Sequence, residues 1–366
     1  MGRESGHIIG IDALRMLAAL AVFLCHLVGY WHLTDLPLRL PELLAIGAHG
    51  VDLFIVLSGF VLALPAFLSG RPLETKGFLA RRATRLVPPY VVALAVAAAI
   101  AFSPAATMIV AKPAQPSDLA WHLLMLQTWN PPTLGTINGS LWSVALEAQL
   151  YLLFPLLLIV ARRWGATALL LGTGGMSILL TTVGPTGPVG VALTDEHNLP
   201  VRMVQFAAGI ACARLVALDL VPRRSALTTI LVASGLLAVG WSTADIHAAK
   251  IVVWTIPCAA AVLLVVSSIG GRLAATPFER WGLASYSFYL LHQPIVLIVG
   301  ALAGPHVDRG FGALAVGLAV ALPATALASL ALYVAVERRA HRYGKAHFRM
   351  FRAAPESAST PSPSPM

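Results

Sequence analysis

Long hydrophobic runs alternate with short polar segments along the whole chain. About ten of these runs approach the ~20 residues that a helix needs to cross the hydrocarbon core of a bilayer. The pattern therefore predicts an all-α, polytopic membrane protein with about ten transmembrane helices. We predict spans at residues 8–28, 46–68, 87–103, 142–161, 166–184, 199–217, 226–242, 250–270, 281–301 and 311–335.

Composition and charge support this prediction and add an orientation. Of the 366 residues, 58% are hydrophobic and only 11% are charged, unlike a soluble globular protein. Most of the 25 Lys and Arg residues fall in the alternate loops on the side of the N-terminus, while Arg202 falls at an outer membrane edge. The positive-inside rule then predicts that both termini are cytoplasmic. The net charge of +9 thus follows from topology and indicates no nucleic-acid partner. An anionic ligand at the inner face stays an open alternative.

The spans and loops form one membrane domain, which we place at residues 8–340. We predict a disordered cytoplasmic tail at residues 341–366 because its end, AAPESASTPSPSPM, nearly lacks hydrophobic residues. Cys25, Cys212 and Cys258 fall in predicted spans and lack the close spacing of a disulfide scaffold or a zinc site. The sequence therefore predicts no metal centre.

Two loops are distinctive. Residues 71–86 form a short, strongly basic segment ahead of Pro88 and Pro89, and we predict an inner loop there. Residues 104–141 form the longest outer segment, and its stretch LAWHLLMLQTW is too short to cross a bilayer. This stretch predicts an interfacial or re-entrant helix.

The first predicted span carries an arginine and a histidine on one face. Arg15 and His26 are eleven residues apart, almost three helical turns, so both side chains project from the same side. Ionisable groups inside a hydrophobic span are functional-site hypotheses because they are costly to bury. Asp12 precedes Arg15 by three residues and could pair with it. The alternatives are a charge pair that only marks the inner membrane boundary, and a histidine bonded to a neighbouring helix.

Other predicted spans also carry polar residues. Asp52 lies just within the outer half of the second span, where it is either functional or a helix cap. Glu147 lies in the fourth span, and function is favoured there because an unpaired glutamate in a membrane is costly. The ninth span holds Tyr286 and His292 ahead of Pro294, which predicts a water-accessible cavity. Tyrosine is, however, also typical of the membrane interface.

Six segments of the chain together resemble a known family. They are, in chain order, GIDALRMLAALAVFLCH, GVDLFIVLSGF, RRATRLVPPY, SLWSVALEAQLYLLFP, ASYSFYLLHQP and YVAVERR. Their order and content resemble the acyltransferase-3 family of integral membrane acyltransferases, over residues 8–339. The resemblance implies transfer of an acyl group, often acetyl, from acyl-CoA to the hydroxyl of a sugar or another molecule.

The resemblance also implies residue roles. The family carries an arginine and a histidine separated by ten residues on its first span, and Arg15 and His26 occupy those positions. It typically shows two adjacent glutamates in the fourth span, of which this chain keeps Glu147 but has Ala148 in the second place. The implied role therefore transfers to Glu147 alone.

The chemistry of acyl transfer suits these residues. A base must take the hydroxyl proton while donors hold the tetrahedral oxyanion. His26 is a natural base because histidine titrates near neutral pH. The phosphates of acyl-CoA need Arg or Lys near the cytoplasmic face. Arg81, Arg82 and Arg85 supply these charges, although the positive-inside rule alone also accounts for them.

We therefore predict a membrane O-acyltransferase that moves an acyl group, expected to be acetyl, from acyl-CoA to a hydroxyl of a carbohydrate or glycosylated acceptor. Direct transfer and a transient acyl-histidine both fit the residues. Acyl-CoA is a donor substrate, so no resident cofactor is expected. A membrane carrier or flippase for a glycosylated substrate is the alternative. The candidate catalytic residues are His26 and Glu147. The candidate substrate-binding residues are Arg15, Asp52, Arg81, Arg82, Arg85, Trp142, Ser143, Tyr286 and His292.

Overall fold

The computed structural model describes residues 8–183, 187–243 and 249–351 of the chain. Within these residues, ten helices are long and apolar enough to cross a membrane. They confirm the predicted all-α class and the predicted number of spans. The ten helices, numbered in chain order, are α1 Ile11–Trp31, α2 Leu40–Ser69, α3 Thr75–Ala101, α4 Gly139–Arg163, α5 Ala166–Val183, α6 Val189–Ala217, α7 Arg224–Ser242, α8 Lys250–Ala274, α9 Ser285–His306 and α10 Phe311–His347.

The third helix differs most from its predicted span. The predicted loop at residues 71–86 is wrong from residue 75 onwards, because α3 already begins at Thr75 and carries Lys76, Arg81, Arg82 and Arg85 on its first turns. The Glu74 side chain accepts a hydrogen bond from the backbone N–H of Gly77 and so caps the helix. The helix then continues through two internal prolines, each of which removes a backbone donor and usually ends a helix. The cap and the packing of this helix outweigh that cost here.

The predicted tail begins too early. Residues 341–347 are helical rather than disordered, because α10 continues to His347. Its last turns pack closely on α3, since a side chain in place of Gly344 would collide with Thr84. Residues 352–366 of the predicted tail, and residue 184 at the predicted end of the fifth span, lie outside the described residues.

The segment after α10 holds the start of α3 through its backbone. The backbone N–H of Glu74 donates a hydrogen bond to the carbonyl of Met350 at 2.8 Å. Leu73 and Phe351 pair next to it in an isolated antiparallel β-bridge. The end of the described chain is thereby fixed beside the basic turns of α3.

Close packing of α2 against α6 organises the centre of the bundle. Gly59 of α2 faces the backbone of Phe206, and Gly209 of α6 faces the backbone of Val56, so that a Cβ at either glycine would collide with it. Small residues allow helix backbones to approach in this way when both partners are apolar. By contrast, only 22% of α5 and 17% of α7 is buried. These two helices lie at the periphery, and the polar residues of interest lie on the central helices.

The stretch LAWHLLMLQTW is helical over its first half. A helix spans Pro116–Leu123, and irregular turns follow it. The Tyr90 hydroxyl of α3 donates to the carbonyl of His122 at 2.8 Å. Gln149 of α4 accepts from the Trp129 indole at 3.0 Å and donates to the Met125 carbonyl at 2.9 Å. The segment is thus bonded to both α3 and α4.

Candidate active site

Arg15 and Asp12 form an ion pair at the start of α1. The Arg15 guanidinium donates to Asp12 Oδ1 at 3.0 Å, which confirms the pair expected from their spacing. Glu279 accepts hydrogen bonds from the backbone N–H groups of Gly10 at 3.1 Å and Ala13 at 2.9 Å. A carboxylate at this end also complements the helix dipole. The end of α1 that carries Arg15 is therefore held firmly in place.

His26 of α1 lies against a second histidine, His292 of α9. Its Nδ1 lies 2.8 Å from His292 Nε2, and the two rings are stacked with centroids 4.9 Å apart. His292 is fully buried, and its Nδ1 lies 2.6 Å from the carbonyl oxygen of Tyr289. His26 is only half-buried. It does contact a neighbouring helix, as one alternative held, but its Nε2 has no hydrogen-bond partner among the described residues.

Glu147 of α4 is stabilised by two hydroxyl groups. Ser58 Oγ of α2 donates to Glu147 Oε1 at 2.7 Å, and the hydroxyl of Tyr151 donates to the same oxygen. The expectation of an unpaired glutamate is therefore wrong, because these hydrogen bonds lower the cost of burying the carboxylate. No hydrogen bond within the described structure reaches Oε2, so this oxygen can accept one from a ligand.

A cavity between α1, α2, α3, α4 and α9 brings many of the candidates together. Its volume is about 70 Å³. Arg15, Arg85, Ser143, Glu147 and Tyr289 all line it. Arg15 and Arg85 lie close enough to Tyr151 and Glu147 for their charges to interact, whereas Ser143, one turn from Glu147, is bonded to Tyr289. This arrangement follows from α4, on which residues 143, 147 and 151 project from one face on successive turns. The other polar residues of the wall are Ser58, Tyr151, Ser285 and Tyr286.

Ser143 and Tyr289 separate this cavity from the histidine pair. Ser143 Oγ donates to the Tyr289 hydroxyl at 2.7 Å. The Tyr289 ring lines the cavity and lies 5.3 Å from the His292 ring, centroid to centroid, whereas neither His26 nor His292 lines the cavity. The cavity therefore ends one layer of side chains away from the histidine pair.

Asp52 belongs to a buried ion pair away from the cavity wall. Its carboxylate is bonded to the Arg202 guanidinium of α6 and, at 2.6 Å, to Nδ1 of His49. The guanidinium also lies over the Trp142 ring, 5.1 Å from its centroid. Arg202 is only 6% exposed, so it lies inside the bundle; its predicted position at the outer membrane edge stays a prediction. Arg202 is the fourth residue of the predicted span 199–217, and this position is the sequence signal that could have identified it as a buried residue.

The three arginines of α3 have different surroundings. Arg85 lines the cavity beside Arg15. Arg82 lies over the rings of Phe78 and Tyr151, 5.8 and 5.9 Å from their centroids, and its Nε is buried without a hydrogen-bond partner. Arg81 is half-buried on the same helix. The structure thus brings one of the three directly to the candidate site and a second to the helix face behind Tyr151.

Two further basic residues join this cluster from α10. His341 and Lys345 lie close enough to Arg81, Arg82 and Arg85 for their charges to interact. Both residues fall in the predicted disordered tail, so they are absent from the candidate site residues of the sequence. Their spacing of four residues, which places them on one helix face, is the signal that was available.

Tyr286 faces the interior of the bundle instead of the membrane interface. Its ring lines the cavity, and its hydroxyl donates to the carbonyl of Leu86 at 2.9 Å. The cavity therefore offers cations, a carboxylate and hydroxyl groups, with a histidine next to it. Among the described residues, no group of three or more His, Cys, Asp or Glu side chains is arranged to hold a metal ion.

A bundle of ten apolar helices around buried arginine, glutamate and histidine side chains defines an integral membrane protein with an intramembrane polar site. The chain belongs to the acyltransferase-3 family, because the family model for this acyltransferase domain matches residues 8–335. The resemblance found in the six segments is thereby confirmed.

Several characterised relatives are similar over most of the chain. Acyltransferase MdmB of Streptomyces mycarofaciens is 27% identical over 319 residues, which are 78% of this chain and 78% of that protein. The exopolysaccharide production protein ExoZ of Rhizobium meliloti is 27% identical over 314 residues, or 82% of this chain and 92% of that protein. No solved structure matches the chain.

One relative is considerably longer than this chain. The peptidoglycan O-acetyltransferase OatA of Listeria monocytogenes is 26% identical over 335 residues, which are 80% of this chain but only 50% of that protein. Family and relatives together identify a membrane O-acyltransferase. They favour an enzyme over the carrier or flippase that the sequence left as the alternative.

Proposed function

We propose that this enzyme moves an acyl group, expected to be acetyl, from acyl-CoA to a hydroxyl of a carbohydrate or glycosylated acceptor, with His26 as the base. One observation carries the proposal. Polar side chains continue from Arg85 and Arg15 past Glu147 to Ser143 and Tyr289, and a histidine with an unoccupied ring nitrogen lies directly behind them.

The arginine end of the cavity suits the phosphates of the donor. Arg15 and Arg85 face the cavity, and guanidinium groups bind phosphate oxygens through charge-assisted hydrogen bonds. Arg15 and His26 are separated by eleven residues, or about 16 Å at ~1.5 Å per residue. This distance is too long for a hydrogen bond between them and suits an extended pantetheine arm, with the phosphates near Arg15 and the thioester near His26.

The thioester must pass the layer formed by Ser143 and Tyr289 to reach His26. Ser143 Oγ contacts the Tyr289 hydroxyl at 2.7 Å and the backbone carbonyl of Ser140 at 3.3 Å, so the layer opens when the contact between the two side chains breaks. The two hydroxyl groups can then donate to the oxyanion that develops on the thioester carbonyl. The same pair thus closes the cavity in the free enzyme and supplies donors during the reaction.

At the histidine, the acceptor hydroxyl gives its proton to His26 Nε2 while its oxygen attacks the thioester carbon. The new C–O bond forms, the C–S bond breaks, and the proton on Nε2 passes to the departing thiolate to give free CoA. Glu147, with Oε2 unoccupied, accepts a hydrogen bond from the acceptor or donor within the cavity. No step requires a further reactant.

The names of two relatives support a carbohydrate acceptor, since one acts on peptidoglycan and the other takes part in exopolysaccharide production. The direct test incubates the purified protein in nanodiscs with isotope-labelled acetyl-CoA and a panel of glycosides and glycan fragments. We expect a labelled acetyl ester on at least one hydroxyl, detected by mass spectrometry. Transfer only to water, or to amines in preference to hydroxyls, would contradict the proposal.

The donor assignment has its own test. Arg15→Ala and Arg85→Ala should each weaken acetyl-CoA binding about tenfold or more, since hydrogen bonds to charged groups contribute roughly 1.5–3 kcal/mol. Binding of S-acetylpantetheine, which lacks the nucleotide, should change much less. Arg39→Ala is the control, because the Arg39 side chain lies outside the bundle and is 76% exposed. Equal losses with both thioesters would exclude a phosphate role for these arginines.

A further inference from the structure

The hydrogen bonds of the histidine pair determine which nitrogen of each ring carries a proton. A carbonyl oxygen can only accept, so the contact of 2.6 Å with the Tyr289 carbonyl requires a proton on His292 Nδ1. Neutral His292 then has an unprotonated Nε2. The contact of 2.8 Å with His26 therefore requires the proton to be on His26 Nδ1. Neutral His26 is left with a lone pair on Nε2, the nitrogen that has no protein partner.

The surroundings of His292 favour the neutral ring on which this assignment depends. The side chain is 0% exposed, and both of its ring nitrogens are engaged with His26 and the Tyr289 carbonyl. Among the described residues, no carboxylate forms a hydrogen bond or an ion pair with either histidine. A buried imidazolium without a counter-ion is costly, so neutral His292 is the stable form. Because no nitrogen remains free, His292 also has nothing to offer a substrate in this arrangement.

We infer that His292 is a positioning residue that holds His26 in the tautomer with a free Nε2 and orients its ring. The inference rests on the proposed function, in which Nε2 takes the proton of the acceptor. It replaces the substrate-binding role suggested for His292 by the sequence. In a catalytic triad, a carboxylate orients the histidine and fixes its tautomer. Here the imidazole of His292, itself bonded to the Tyr289 carbonyl, takes the place of that carboxylate.

The chain of hydrogen bonds also supports the charged state of His26 during the reaction. When Nε2 takes the proton, His26 becomes an imidazolium, and its Nδ1–H donates more strongly to His292 Nε2. The backbone carbonyl of Tyr289 polarises His292 in the direction that makes Nε2 a better acceptor. No proton has to pass between the two rings, since the proton that His26 Nε2 takes from the acceptor goes on to the thiolate.

The first test replaces His292 and separates catalysis from binding. His292→Ala should lower kcat by about 10²-fold or more, within the range of general-base catalysis, while acetyl-CoA affinity stays within about threefold. His292→Gln should recover part of the loss, because its side-chain carbonyl can accept from His26 Nδ1–H. Gln293→Ala is the control, since it removes a neighbouring buried polar side chain without touching His26. A kcat for His292→Ala within threefold of wild type would overturn the inference.

The second test does not depend on activity. Nitrogen NMR of ¹⁵N-histidine-labelled wild type in nanodiscs, with the His26 signal assigned by comparison with His26→Ala, reports which nitrogen is protonated. We expect His26 to carry its proton on Nδ1, and His292→Gln to keep that tautomer. Protonation of His26 on Nε2 in the wild type would contradict the inference even if acetyl transfer is demonstrated. Conversely, absence of transfer would refute the proposed function and leave the tautomer result as it stands.

Discussion

Arg15, Asp52 and Glu147 each have a partner that lowers the cost of burial, and the partner determines what the residue can still do. Arg15 is paired with Asp12, and Asp52 with Arg202. Glu147 differs because its two partners are neutral hydroxyls on one oxygen. Glu147 lines the cavity and keeps one oxygen, Oε2, without a hydrogen-bond partner among the described residues, which suits contact with a substrate.

Glu147→Gln should reduce turnover by about tenfold or more while acetyl-CoA affinity changes little. The amide keeps the size of the side chain and one acceptor oxygen, but loses the charge and places a donor at the second position. Turnover and affinity are measured on purified protein, with Glu42→Gln as the control because that carboxylate is 58% exposed. Loss of folded protein instead of turnover would indicate a structural glutamate.

The sequence predicts those residue contacts that lie within one helix and misses those between helices. Helical periodicity alone places Asp12 next to Arg15, three residues apart. The partner of His26 lies 266 residues away and that of Asp52 lies 150 residues away. Hydropathy contains no information about which spans become neighbours, so these two pairs could not be derived from it.

Among the helices, the contact between α2 and α6 is the structural support of the site. α2 supplies Ser58, which bonds Glu147, and its neighbour Gly59 touches the backbone of α6. The buried pair of Asp52 and Arg202 joins the same two helices. Any substitution that separates them should disturb the site as well as the fold.

Gly209→Val tests this element directly. The added side chain would collide with the backbone of Val56 and Phe60, so the helices have to move apart, at a cost of about 1–3 kcal/mol or more. We expect a clear fall in the thermal unfolding midpoint and a loss of activity. Gly235→Val in peripheral α7 is the matched control, because a Cβ there meets nothing within 4 Å. An unchanged midpoint for Gly209→Val would show that the contact is not tight.

Two elements could not be predicted well because local signals and packing disagree. The basic segment ahead of Pro88 and Pro89 predicts a loop and a span that starts at residue 87, yet α3, capped by Glu74, begins twelve residues earlier at Thr75. The polar end of α10 indicates a disordered tail, yet it packs as a helix on α3. In both cases, contacts with other parts of the protein stabilise helical turns that the local sequence pattern does not predict.

For the molecule as a whole, the number and order of the spans were predictable because bilayer thickness sets their length. The charge pattern also predicts that the ends of α2 and α4 lie on the same side of the membrane. In the structure these two ends are neighbours, since Arg162 at the end of α4 donates to the Ala66 carbonyl near the end of α2 at 2.6 Å. Which of the two sides is cytoplasmic depends on the positive-inside rule. The orientation therefore stays a prediction.

A topology reporter fused to the C-terminus should report a cytoplasmic location. A second reporter fused after Leu38, an exposed residue between α1 and α2, should report an external one, because a single span separates it from the N-terminus. Activity of the reporters in intact cells gives the measurement. The reverse pattern would invert the bundle and place the proposed phosphate site outside the cell, where it could not use cytoplasmic acyl-CoA.

The central claim is that His26 takes the proton of the acceptor hydroxyl, and the most direct measurement is the rate of labelled acetyl transfer by His26→Ala. The account predicts a loss of about 10²–10⁴-fold, the usual size of general-base catalysis, with folding and acetyl-CoA affinity close to wild type. His32→Ala, which changes an exposed histidine just beyond α1, should transfer acetyl at the wild-type rate. Transfer by His26→Ala within tenfold of wild type would contradict the claim.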